Sequence, residues 1–566
     1  MRQTKNNPLS HLLFHSYYII THNYVNIYIM LFTSFNFLIF LAVLVALYAI
    51  TPQRFRWFVL LVGSMTFYGF AGLHFLIYIN ATIVITYFCT IKIRHLRLIR
   101  DVEIEKFNDL GLSQENIKEA RRSLRDKTKR KAKGWTALCL VLIIGILAAV
   151  KYTDFAIENF NTILRLFNDS QQFSLIGIAV PLGISFYTFQ TVGYVIDVYR
   201  EKAEIVRNPL KLALFTSFFP QVIQGPISRF ENLSKTLYSG SQINRHGLAR
   251  GSQRILWGFF KKLVIADRLW PALAFLAIHP EEYQGIYYLF AIALYAIVLY
   301  CDFSGGIDIA IGAAELFGVR LPENFNRPFY SRSIQEYWQR WHITMYSWFR
   351  DYVFYPMAAS KRMLRFSKAS RRVVGNNLAK RLPVHISLIF VWFLTGLWHG
   401  ATWNFIMWGM TNGIVLMISL ELTPLYERFN KHFPTLTDKW FYRSIQIFRT
   451  FWLMNFIRSF DIYDGVRNTF RMMWSVVANF SFNEFLTSGL SELKLSTEEY
   501  FSALAGLLIV FFISFLGRGN IDFRDRLGGV KWPLRYTLTG VVLFMTLVLG
   551  AYGHGFDARQ FIYNIF

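Results

Sequence analysis

Two histidines in apolar, tryptophan-rich stretches are the residues of this chain best suited to chemistry. One is His342, in Arg340-Trp341-His342-Ile343-Thr344, with Trp348-Phe349-Arg350-Asp351-Tyr352 just beyond. The other is His399, in Trp398-His399-Gly400 within the apolar run from Val391 to Met407. An ionisable side chain at bilayer depth is costly and marks function by default. A neutral imidazole takes a proton from a hydroxyl near physiological pH and returns it later. Proton transfer inside a bilayer, of the kind acyl transfer to an alcohol needs, is the chemistry these positions suggest. The plain alternative for each is an imidazole hydrogen-bonded between helices.

The elements that must hold them belong to a membrane protein. The chain has 566 residues, of which 54% are hydrophobic and 17% charged, against about 25% charged in soluble proteins. Many windows reach the roughly 20 apolar residues that cross a bilayer core. The expected class is an all-α polytopic membrane protein with about eleven spans plus re-entrant or interfacial helices. The formal charge is +25, with the cations in loops between apolar runs, as orientation bias and anionic lipids produce. No zinc-finger or RNA-binding motif accompanies them, which argues against nucleic acid as a partner. Cys89, Cys139 and Cys301 form no CxxC and suggest no metal or disulfide framework. Residues 30–566 are expected to make a single membrane domain. Residues 1–29 are expected to be an N-terminal extension, with Met30 as an alternative start. Polar, basic loops are expected near residues 92–133 and 361–381, facing the cytoplasm.

Local patterns place the histidines. Ser333 and Glu336 have capping-box spacing, and Trp338, Trp341, Met345, Trp348, Tyr352 and Tyr355 recur at mostly helical period. The spacing predicts one interfacial helix over residues 333–357 with His342 beside its aromatic stripe. The basic stretch that follows puts His342 nearer the cytoplasmic face and His399 about half a membrane deeper. Gly396 and Gly400 flank His399 and admit a close neighbour. Asp302 and Asp308 lie in apolar context; they bind a cation, or pair with arginines or backbone amides to hold a broken helix. Residues 322–328 read as a turn leading into the His342 helix. There is no GxSxG elbow, HExxH helix, Walker loop or dinucleotide fingerprint.

Taken in order, several motifs resemble the membrane-bound O-acyltransferase family, in its bacterial branch with the alginate O-acetylation protein and the teichoic-acid D-alanyl transferase. They are Pro181-Leu182-Gly183-Ile184-Ser185-Phe186-Tyr187-Thr188-Phe189-Gln190, Phe219-Pro220-Gln221 with Gly225-Pro226-Ile227, and Asp302-Phe303-Ser304-Gly305. Glu323 through Pro328, Trp338 through Tyr355, Trp398-His399-Gly400 and Phe556 through Tyr563 continue the likeness. After Pro356 the alginate branch commonly has a Gly-Gly-Asn-Arg-like turn, where this chain has Met357-Ala358-Ala359-Ser360-Lys361-Arg362.

The resemblance implies a helical bundle around a tunnel in the bacterial cell membrane. It implies no bound cofactor or metal. The co-substrate would be a cytoplasmic acyl thioester, acetyl-CoA or a phosphopantetheine carrier protein. The acceptor would be a cell-surface glycan, or an extracytoplasmic partner acyltransferase. It implies catalysis by His399, with His342 nearer the donor side. Trp341, Arg340, Arg350, Trp398 and Asp302 are candidates to line the tunnel or meet the donor. The competing readings are a transporter or flippase, handling ions with Asp302, Asp308 and Glu315, and a non-enzymatic scaffold.

Overall fold

The computed structural model describes residues 30–107, 113–167, 171–437, 439–516 and 529–552. Residues 1–29 and the Phe556–Tyr563 motif lie outside them. Among the described residues there is no strand, only an isolated bridge between Phe325 and Trp341. Seven helices among the described residues are long and apolar enough to cross a membrane, and the protein is an all-α, multi-pass membrane protein.

The elements that bear on the site are, in chain order, α1 (Phe35–Ile50), α2 (Arg56–Gly69), α3 (Leu76–Lys106), α4 (Gln114–Lys151), α5 (Ile184–Tyr199), α6 (Arg245–Phe259) and α7 (Ile286–Leu316). They continue as α8 (Ile334–Arg340), α9 (Ile343–Phe349), α10 (Lys361–His399), α11 (Trp403–Glu421), α12 (Trp440–Arg458), α13 (Thr497–Leu516) and α14 (Trp532–Leu549). The seven with the length and apolarity for a span are α3, α4, α7, α10, α11, α13 and α14. The 16-residue α1 is apolar but shorter.

Much of the polar stretch over residues 92–133 is helix. At about 1.5 Å per residue, the 31 residues of α3 and 38 of α4 outrun a bilayer core of about 30 Å. Their basic ends are therefore helical extensions beyond the hydrocarbon. Ser113 starts α4 by accepting the Asn116 N–H. The second basic stretch is the first half of α10, capped by Ser360 accepting the Met363 N–H. It bends at Gly375, whose φ of 75° belongs to the left-handed region.

Packing centres on α6 and α7. A methyl group on Gly258 would lie 2.5 Å from the Gly305 carbonyl oxygen, and one on Gly251 would lie 2.8 Å from that of Gly312. Small residues at these crossings let the two backbones touch. Past Phe259 the α6 chain continues as a π-helical stretch, Phe260–Ala266, carrying Lys261 and Lys262 toward α7. There Arg254 bonds Asp308 at 3.0 Å and Glu323 at 2.6 Å. Lys261 meets Asp308 at 2.7 Å, and Lys262 meets Asp302 at 2.5 Å and Asp267 at 2.8 Å.

The expected break near residues 300–308 is absent: α7 runs unbroken from Ile286 to Leu316. Ser304, Gly305 and Gly306 sit within this packed helix, and the carboxylates find their partners on α6. Burying an ion without a partner is strongly unfavourable, so this row of pairs ties α6 to α7.

Candidate active site

The chain around His342 departs from the single helix expected over residues 333–357. Half of the expected capping box forms: Ser333 Oγ accepts the Glu336 N–H at 3.2 Å, while the Glu336 carboxylate accepts the N–H of Arg332 rather than that of Ser333. The helix then stops at Arg340. Trp341 is extended, and His342 sits in the left-handed region at φ 48° and ψ 52°. A non-glycine residue there costs on the order of 1–3 kcal/mol and persists only where its surroundings impose it.

The turn before α8 supplies that imposition. The Asn326 N–H donates to the Arg340 carbonyl at 2.9 Å, and the Ile343 N–H donates to the Asn324 carbonyl at 3.0 Å. Asn324 Oδ1 accepts the Thr344 N–H at 3.0 Å. These bonds replace the helical ladder, and α9 starts afresh. A further π-helical stretch, Arg350–Phe354, follows.

His399 is likewise at an element's end rather than inside one. It is the last residue of α10; Gly400 is extended and α11 begins at Trp403. Two helices thus meet at the histidine, with Gly400 to Thr402 between them. A methyl group on Gly396 would lie 2.3 Å from the Phe405 carbonyl oxygen, and one on Gly409 would lie 2.2 Å from that of Trp392. Only glycine allows α10 and α11 to close this tightly.

The exposed carbonyls at the end of α10 are met by α4. Lys151 Nζ donates to the Trp398 carbonyl at 2.6 Å and reaches that of His399 at 3.4 Å. The neighbouring Tyr152 hydroxyl donates to the Leu397 carbonyl at 2.9 Å. A cation at a helix C-terminus answers both the orphan acceptors and the helix dipole.

Both histidines are buried, and one indole touches both. The Trp398 ring lies 5.9 Å from the His342 ring and 4.9 Å from the His399 ring, between centroids. The expected half-membrane separation is therefore wrong. The break at Trp341 and His342 folds the second histidine back into contact with the end of α10, a turn that depends on the distant Asn324.

Aromatic rings wall the pair. Phe303 lies 4.9 Å from His342, and Trp408 lies 4.6 Å from His399. Phe189 stacks on Trp398 at 5.5 Å and on Trp348 at 4.1 Å. Trp348 Nε1 donates to the Phe189 carbonyl at 2.8 Å. Such a wall excludes water and preserves the strength of short polar contacts.

The remaining expected residues are spread around this centre. Trp341 is buried, with the Arg458 guanidinium 4.0 Å over its ring and Tyr337 stacked at 5.8 Å. Arg340 pairs with Glu336 one turn back at 2.6 Å. Arg350 is 41% exposed at its side chain and bonds Asp351 at 2.9 Å. Asp302 adjoins Phe303, but its carboxylate is held by Lys262. Likewise Asp308 and Glu315, the ion-handling groups a transporter would need, lie against Lys261 and Arg254.

Sequence reasoning gave no role in the site to Asn324, Lys151, Phe189, Trp408 and Arg458. Lys151 carried a signal, a lone cation directly after the apolar run 134–150. Asn324 lay inside a turn, where asparagine is ordinary.

Among the described residues, no cluster of three or more His, Cys, Asp or Glu could hold a metal ion. Two imidazoles, dry walls and an anchored helix end suit proton transfer to and from a reacting hydroxyl.

Known proteins share this pattern. The membrane-bound O-acyltransferase family model matches residues 205–463, a stretch that contains both histidines. A protein of Azotobacter vinelandii named as a probable alginate O-acetylase is 33% identical over 394 residues, 69% of this chain and 69% of the relative. The peptidoglycan O-acetyltransferase of Helicobacter pylori is 32% identical over 328 residues, 53% of this chain and 58% of the relative. The teichoic acid D-alanyltransferase of Bacillus subtilis is 28% identical over 294 residues, 50% of this chain and 68% of the relative. With a relative this similar over more than two thirds of its length, and the family's own pattern spanning both histidines, the chain belongs to the membrane-bound O-acyltransferase family.

Proposed function

We propose that this protein, in the bacterial inner membrane, moves an acyl group from a cytoplasmic thioester to a hydroxyl of an extracytoplasmic glycan. Acetyl is preferred to D-alanyl, because relatives named for acetylation are prominent among its matches. The acceptor is a cell-wall or exopolysaccharide glycan, or a partner acyltransferase that passes the group on. The observation that carries this reading is the meeting of two buried imidazoles at Trp398 in a membrane-embedded fold.

The step proceeds at His399. Its imidazole takes the proton of the acceptor hydroxyl, and the oxygen attacks the thioester carbonyl carbon. The C–S bond breaks as the ester forms, and the thiolate leaves with the proton that His399 had taken. One ester and one thiol result from each turnover. Holding the two substrates in a dry tunnel supplies much of the acceleration.

Trp398 and Trp341 line this path. Arg350, with its exposed side chain, meets phosphate on the donor, for which a guanidinium fork is suited. Arg340 and Asp302 brace the walls through Glu336 and Lys262.

Purified protein in lipid vesicles tests the reading. Acetyl-CoA and D-alanyl-phosphopantetheine are offered as donors, with fragments of peptidoglycan, teichoic acid and alginate as acceptors. Thiol release that depends on an acceptor is expected, fastest with acetyl-CoA. Release no faster than in protein-free vesicles for every pairing would overturn it.

A further inference from the structure

One side chain holds the break at His342, and the same side chain determines where the imidazole carries its proton. Asn324 is fully buried. Its Oδ1 faces the Thr344 N–H at 3.0 Å and the Thr344 hydroxyl at 2.9 Å. A backbone N–H only donates, so this amide atom is the oxygen. The hydroxyl also donates to it, because an amide oxygen only accepts; Thr344 Oγ1 in turn accepts the Ile227 N–H at 3.1 Å. Both lone pairs of Oδ1 are then engaged.

His342 Nδ1 lies 3.1 Å from Asn324 Nδ2 and 3.2 Å from Oδ1. With the oxygen saturated, the amide N–H is the group that bonds the ring, and Nδ1 accepts it. A neutral imidazole accepting at Nδ1 carries its hydrogen on Nε2.

We propose that Asn324 is a positioning residue that fixes His342 as the Nε2–H tautomer, so that this imidazole donates a hydrogen bond to the reacting acyl group while His399 serves as the base. The role of the N–H rests on the acyltransferase reading; the tautomer does not. In the step above, the thioester carbonyl oxygen becomes negative as the hydroxyl oxygen adds. An N–H already aimed at that oxygen stabilises it without reorganising. When the C–S bond breaks, the charge leaves with sulfur, and His342 has gained and lost no proton. Two histidines at one indole thereby do different work, one through a lone pair and one through an N–H.

Nitrogen-15 spectra of histidine-labelled protein in lipid test this, with the His342 signals identified by their loss in His342→Gln. The expected result is a protonated Nε2 and a bare Nδ1. Asn324→Asp keeps both acceptor bonds from Thr344 but offers the ring only oxygen. It is expected to draw the proton to Nδ1 and lower kcat by about a hundredfold, the scale of losing one such donor, with the acceptor KM within about twofold.

A wild-type His342 carrying its proton on Nδ1, or on both nitrogens, would overturn the inference. So would Asn324→Asp with a flipped ring and undiminished turnover. Should that variant fail to fold, the wild-type spectrum still decides the tautomer. A bare Nδ1 in a protein that transfers no acyl group would uphold the tautomer and sink the acyltransferase reading instead.

Discussion

The crossing of α6 and α7 and the meeting of His342 with His399 both bury titratable side chains, but surround them differently. At the crossing, Asp302, Asp308 and Glu315 face Lys262, Lys261 and Arg254, charge against opposite charge. At the histidines, the described neighbours are the rings of Phe303, Trp398 and Trp408 and the uncharged amide of Asn324. The first arrangement holds ions still and joins two helices. The second keeps bases away from water and leaves their proton chemistry available to substrates. Burial of an ionisable group is therefore a pointer to function only after its neighbours are known.

The largest effect on stability should come from the crossing. Asp302→Leu leaves Lys262 with a buried charge and one fewer counter-ion, and should cost about 3–5 kcal/mol. Adding Lys262→Met should recover part of that loss, since an apolar pair of similar volume is tolerated where half an ion pair is not; the remainder stays lost because Asp267 gives up its contact with Lys262. Thermal unfolding of the purified variants checks the order. Equal stability of Asp302→Leu and wild type would remove the distinction between the two regions.

A smaller effect is expected where α4 meets the site. Lys151→Met removes the cation from the Trp398 and His399 carbonyls. A helix-end cation in a partly buried setting is worth up to about 2 kcal/mol. Turnover should fall more than the melting temperature indicates, because the backbone that aims His399 loosens. A melt and a kcat measured on the same preparation separate the two.

The smallest change in stability is expected at Arg350, whose pairing with Asp351 is exposed and worth under about 1 kcal/mol. Arg350→Glu should leave the melt almost unchanged while raising the donor KM severalfold. An unchanged KM would make Arg350 an interfacial anchor.

The sequence made the ingredients of both regions visible but not their arrangement. His342, His399, Asp302 and Asp308 stood out as ionisable residues in apolar runs, and the Ser333–Glu336 cap was readable from spacing. The membrane class followed from composition. The break at Trp341 and His342 was not readable, because the aromatic stripe there keeps helical period. What stops the helix is Asn324, 18 residues away from His342. The continuity of α7 was hidden for a related reason. Ser304-Gly305-Gly306 resembles a breaker until Gly258 of α6 is brought against it. The nearness of the two histidines depends on the break at His342, so no local pattern could disclose it.

The most direct measurement is the turnover of His399→Gln beside wild type, in vesicles with acyl thioester and acceptor, accompanied by a thermal melt of each. Loss of a general base should lower kcat by about a hundred- to ten-thousandfold, with a melt close to that of wild type. Acyl transfer by the folded variant at the wild-type rate would contradict the assignment of His399 as the group that activates the hydroxyl.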